Sequence, residues 1–167
     1  MRFVNSHSRE SGATLLEVLI SLMILAGGML GMSALLTSSL KINQSSNFRT
    51  QATLYSQDII ERMRSNISAT EAGDYDDPSA ILTASCLTPA GCPAAAMAAH
   101  DVAEWETLVQ AGLPSGSATV CIDASAIDGT PASPACDGAG SLYAVKIWWD
   151  DDRDGVAEQR FIATFQP

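Results

Sequence analysis

The sequence predicts an α+β chain in which one long N-terminal helix packs on a small antiparallel sheet. Three observations carry that prediction. No proline occurs before Pro78, so nothing obligatory breaks a helix over the preceding residues. An apolar run, Val18 to Leu36, is followed from Phe48 by apolar residues at helical intervals. Near the C-terminus, Leu142 to Trp149 and Arg160 to Phe165 alternate apolar residues at every second position, the period of a strand.

Length and charge narrow the function. The 167 residues leave room, beside a membrane segment, for one small domain of roughly 100 residues. The formal net charge is −10, and from Ser65 onward only Lys146, Arg153 and Arg160 stand against fifteen acids. That half repels phosphates and anionic lipid heads, so no nucleic-acid partner is expected. Cys86, Cys92, Cys121 and Cys136 all lie in it. An even number beyond a membrane segment points to two disulfides in an oxidising compartment. Of three connectivities, the sequence-local one, Cys86–Cys92 with Cys121–Cys136, is preferred. The spacings match no usual zinc pattern.

The start of the chain sets the topology. Met1 to Ser11 is polar, with Arg2, His7 and Arg9, and Gly12 comes directly before the apolar run. A general secretory signal places its small-residue cleavage site after the apolar region instead. Cleavage at Gly12 leaves the apolar segment with the mature chain, the basic leader in the cytoplasm and the C-terminal half across the membrane. The run from Val18 is close to the roughly 20 residues that span about 30 Å of hydrocarbon. Glu17 at its head is costly there unless it has a partner or a purpose. An ordinary single-span anchor accounts for the run but not for the acid.

Within the helix, Gly27, Gly28 and Gly31 weaken propensity by about 1 kcal/mol each and permit close helix contact or a local bend. Thr37 to Asn47 is largely polar. The stripe Phe48, Ala52, Tyr55, Ile59 and Met63, with Ile60 beside it, is a core-facing face meant for the sheet. Asp58 and Arg62 can pair four residues apart on the exposed side. The expected helix runs from about Ala13 to Ser65. Asn66 to Pro78 reads as loop, and Ser79 to about Met97 as largely irregular. Asp101 and Glu104 have the spacing of a capping box that opens a helix through Trp105, Leu108 and Val109, ending at Gly112. His100 then sits at a helix start. Ala118 to Asp123 reads as a strand, and Ala124 to Gly140 as a turn-rich loop.

Two blocks carry a family resemblance. Gly12-Ala13-Thr14-Leu15-Leu16-Glu17-Val18-Leu19 resembles the class III signal of type IV prepilins and type II secretion pseudopilins. Asp101-Val-Ala-Glu-Trp105, Leu108, Gly112-Leu-Pro-Ser-Gly116 and the Val120-Cys121 strand resemble the minor pilins of the type IV pilus modification (PilV) group. The resemblance implies a pilin-like fold and cleavage by a prepilin peptidase between Gly12 and Ala13, with N-methylation at Ala13. Most of the family carries phenylalanine where this chain has Ala13. It further implies that Glu17, beside Thr14, meets the N-terminal amine of a neighbouring subunit, because opposite charges buried together are tolerable and apart are costly. The segments are then residues 1–12 as leader, 13–36 as membrane and filament-core helix, 37–66 as amphipathic helix and 67–167 as a periplasmic disulfide-containing domain. Expected partners are other minor pilins and pilus subunits, the peptidase, the inner-membrane assembly platform and the membrane itself. The chain is expected in the inner membrane before assembly and in an extracellular pilus after it, supporting assembly, twitching motility and adhesion. A minor pseudopilin of type II secretion is the nearest alternative, and a calcium-binding adhesive tip module another.

Asp150-Asp-Asp152-Arg-Asp154-Gly155 matches the opening of a calcium loop, with Glu158 at the ninth position. The twelfth position is Phe161, where an EF-hand has its bidentate glutamate. The same residues also suit a solvated hairpin turn. Calcium is thus the one cofactor the sequence leaves open. No enzyme is expected: no nucleophile has a plausible base, and beyond the leader His100 is the lone histidine.

Overall fold

The computed structural model describes residues 14–167. The expected cleavage and methylation positions, Gly12 and Ala13, lie outside these residues. In order, the elements are helix α1 (Leu15–Ser65), helix α2 (Ile67–Ala72), a 3-10 turn (Ala84–Leu87), helix α3 (Ala94–Gly112) and strands β1 (Ser117–Ile122), β2 (Tyr143–Trp149) and β3 (Gln159–Phe165). The class is α+β. The chain divides into two compact units, one ending at Asn43 and one running from Gln44 to Pro167.

In the first unit, residues 14–43 are exposed throughout. The helix is unbroken across Gly27, Gly28 and Gly31. Its weakly polar residues turn back on the backbone: Ser21, Ser33 and Thr37 each donate a hydroxyl to the carbonyl four residues earlier, at 2.7 to 3.0 Å. Hydroxyls satisfied in this way cost little in an apolar surrounding. The segment belongs to a helix long and apolar enough to cross a membrane.

In the second unit the sheet order is β1-β2-β3, antiparallel throughout. Val120 pairs with Val145 and Val145 with Ala163, so one face collects small and branched apolar residues in cross-strand ladders. That face shares one core with the end of α1. Phe48, Ala52, Ser56, Ile59 and Met63 are the buried residues of α1, while Tyr55 and Ile60 flank the core half-buried. Trp105 of α3 is fully buried, and its Nε1 donates to the Tyr55 carbonyl at 2.8 Å.

Three expectations are corrected. First, residues 66–78 are not all loop. Ile67–Ala72 is helical, with Ala69 and Thr70 buried, and Gly73 ends it in the left-handed conformation that glycine adopts freely. Second, α3 begins eight residues earlier than the capping-box reading placed it, after Pro93. Five alanines between Ala94 and Ala99 form helix without a side-chain cap. Asp101 therefore sits inside α3, buried, where it accepts from the Tyr75 hydroxyl at 2.6 Å and meets Arg62. Third, His100 is a buried mid-helix residue rather than a helix-start residue.

Every residue of β2 is buried, on both faces. Four of them, Tyr143, Val145, Ile147 and Trp149, belong to the core, whereas Ala144, Lys146 and Trp148 alternate with them on the other face. The turn-rich loop from Ala124 to Gly140 has several points of attachment on this second side, and Lys146 is the central one.

Candidate functional site

The residues expected to act in assembly stand at the head of α1. The Thr14 hydroxyl accepts from the Glu17 amide N–H at 3.3 Å, and the Thr14 carbonyl accepts from the Val18 N–H at 3.2 Å. Thr14 is thus the N-cap and Glu17 the third helical residue, the T-x-x-E order of a capping box. That signal stands in the sequence at residues 14–17, whereas the one expected at Asp101 and Glu104 does not open a helix. An acid in the first helical turn faces the positive end of the helix dipole. Among the described residues the Glu17 carboxylate makes no hydrogen bond or ion pair, and it is exposed. The head of the helix therefore presents an exposed carboxylate without a partner among the described residues, at a capped turn directly before an apolar surface.

The four cysteines form Cys86–Cys92 and Cys121–Cys136, with Cα separations of 4.7 and 6.0 Å. The first closes the turn at Ala84–Leu87. The second staples the loop after β1 back onto that strand.

Sequence reasoning missed the polar centre beneath that loop. Lys146 is fully buried in β2 and forms an ion pair with the equally buried Asp123. Its Nζ also donates to the Pro134 carbonyl at 2.8 Å and to the Asp128 carboxylate at 3.1 Å. Burial works against the Asp123 charge, but Lys146 and the Ser125 N–H hold its carboxyl below the usual carboxylate range. The available signal was a single base at a β2 position between Val145 and Ile147. A second ionic clasp joins α1 to α3: Arg62 pairs with Asp58, Asp101 and Glu104. The Arg62 guanidinium holds the Glu104 carboxyl down.

The acidic turn places carboxylate oxygens of Asp150, Asp152 and Asp154 within 4.8 Å of one another, while Glu158 is exposed and outside that group. Both oxygens of Asp150 are already engaged, accepting from the Arg153 N–H at 2.6 Å and the Gly155 N–H at 2.7 Å. Asp154 accepts from the Val156 N–H. Phe161, at the twelfth position of the motif, lies in β3 and packs beside the core. The donor set therefore lacks the bidentate glutamate of a helix-flanked calcium loop, and its buried member serves the turn's own backbone.

No family model, curated protein or solved structure matches this chain.

Proposed function

We propose that the chain is a minor pilin: a membrane-held subunit that joins a type IV pilus and promotes its initiation, within a complex of related subunits. The observation that carries this reading is the head of α1. A capped first turn presents Glu17, exposed and without a partner among the described residues, immediately before an exposed apolar helix. A carboxylate at a membrane edge is costly alone and tolerable beside an amine, so it favours a neighbour that brings one. The mechanism is association and involves no bond-making chemistry. Helix faces pack together, Glu17 meets the N-terminal amine of an adjoining subunit, and the disulfide-containing domain faces outward. By the same reading the chain supports adhesion and twitching motility from the inner membrane and the pilus.

The test pairs two substitutions in the native host. Glu17→Ala is expected to leave processing and membrane residence intact while removing the chain from sheared pili. Replacement of Gly12 is expected to block processing, read as a retained leader by mass spectrometry. Normal processing after the Gly12 change would overturn the reading. Recovery of the chain in secretion complexes but never in pili would assign it to the pseudopilins instead.

A further inference from the structure

The side of α3 away from the core carries a concentration of exposed apolar side chains. Ile81, Leu82, Leu87 and Leu108 are 58, 62, 74 and 42 % exposed. They border two adjoining hollows of about 400 and 440 Å³ that share Leu82 and Thr107. His100 lines the first hollow. Its Nδ1 accepts from the Thr83 N–H at 2.9 Å, so the ring proton sits on Nε2, which is buried without an acceptor among the described residues.

These leucines are not on a loose loop. The Ile81 N–H donates to the Ala99 carbonyl at 3.2 Å, Thr83 is tied to His100, and Cys86–Cys92 closes the turn that carries Leu87. Apolar groups held outward by a fixed backbone lose little freedom on binding, which favours association.

Charge selects among occupants. Glu104 at the first hollow is committed to Arg62. Glu106 at the second has no basic partner among the described residues, and burial and nearby Asp77 both disfavour its charge. Neither hollow is lined by a lysine or arginine. An anionic lipid surface is repelled by this rim, whereas a base would relieve it.

We propose that the paired hollows on α3 dock a polypeptide segment of another protein, whose two aliphatic side chains fill the hollows and whose lysine or arginine meets Glu106. The inference rests on the filament reading, which requires neighbouring subunits, and adds the surface that receives one.

The experiment places a photo-crosslinking residue at Leu82 or Leu108 of the full chain in its native membrane. Ile127, 77 % exposed and outside both hollows, serves as the control position. The expected adduct is one peptide of a different protein containing two aliphatic residues and a base, with none formed from Ile127. Glu106→Lys, or separately the rim change Leu87→Asp, is expected to lower the yield about tenfold. Unimpaired membrane levels of both variants guard against misfolding. Adducts equal to those from Ile127, adducts only to lipid or to a second copy, a peptide without a base, or a yield indifferent to both changes would overturn the proposal. The adduct is read in cells with Glu17 intact, and pilus assembly with and without Glu17→Ala is scored separately. A retained adduct beside pili that assemble normally without this chain defeats the filament reading alone. A lost adduct beside intact Glu17-dependent assembly defeats the docking surface alone.

Discussion

Lys146 is held by four oxygen partners, and it is fully buried between strand neighbours that are themselves apolar. Removing one member of such a pair leaves the other charged and uncompensated. Lys146→Met is therefore expected to cost about 3–5 kcal/mol in denaturant unfolding, and Lys146→Met with Asp123→Leu distinctly less. The same group sets the acid limb of stability. The folded Asp123 binds its proton less readily than the unfolded one, so its contribution is complete above about pH 4 and drains as pH falls. Tyr75 sets the alkaline limb. Burial, then its hydrogen bond to Asp101, raises its pKa, so its contribution is complete below about pH 10 and is lost as pH rises. Melting temperature followed against pH should show both limbs. Tyr75→Phe should flatten the alkaline one and Lys146→Met the acid one.

At the scale of elements, α1, β1, β2 and β3 were legible to within about two residues; in the stripe from Phe48 and in β2 and β3 the signal is an apolar residue repeated at the period of the element, which contact with the core imposes. The start of α3 was not, for a physical reason. Alanine carries no pattern and needs no cap to be helical, whereas Asp101 and Glu104 imitate a cap while serving Arg62 and Tyr75. Helix α2 was not legible either, since a six-residue helix shows too little repetition to stand out from a loop. Close packing explains one part of the Leu-Pro turn: a Cβ on Gly116 would lie 2.6 Å from the Val109 carbonyl, so only glycine fits. The turn between β2 and β3 was readable as acidic but not as self-sufficient. Because Asp150 is occupied by backbone N–H groups, millimolar calcium is expected to leave the melting temperature unchanged, and Asp150→Ala to lower it. A calcium-induced rise abolished by Asp152→Asn would assign the turn to the metal instead.

At the scale of the whole molecule, the sequence displays an apolar stretch with an acid at its head and an acidic half that holds all four cysteines. What it could not announce was the second buried side of β2. Alternation marks a face as apolar, but the partners of Lys146 come from Asp123, Asp128 and Pro134, which meet only when the loop after β1 has folded back. The hollows on α3 were illegible for the same reason, since Leu82 and Leu108 lie far apart in sequence and share no period.

That loop is fastened by Cys136 to Cys121, by Pro134 and Asp128 to Lys146, and by Gly138 to the carbonyl of Ile122. Its tip has no hydrogen bond to the sheet among the described residues: Thr130 and Ser133 bond to each other, and Ala132 between them is exposed, at a hollow it shares with Gly155 and Val156. Variation at the tip therefore leaves these fastenings in place, and the region becomes a natural graft point. A foreign peptide inserted after Ala132 is expected to leave both disulfides formed and the melting temperature within about 5 °C, whereas the same insertion after Asp123 should prevent folding. Disulfide mapping and thermal unfolding of the two insertions would check it. A domain built this way can change the face it shows to its surroundings while its interior stays the same.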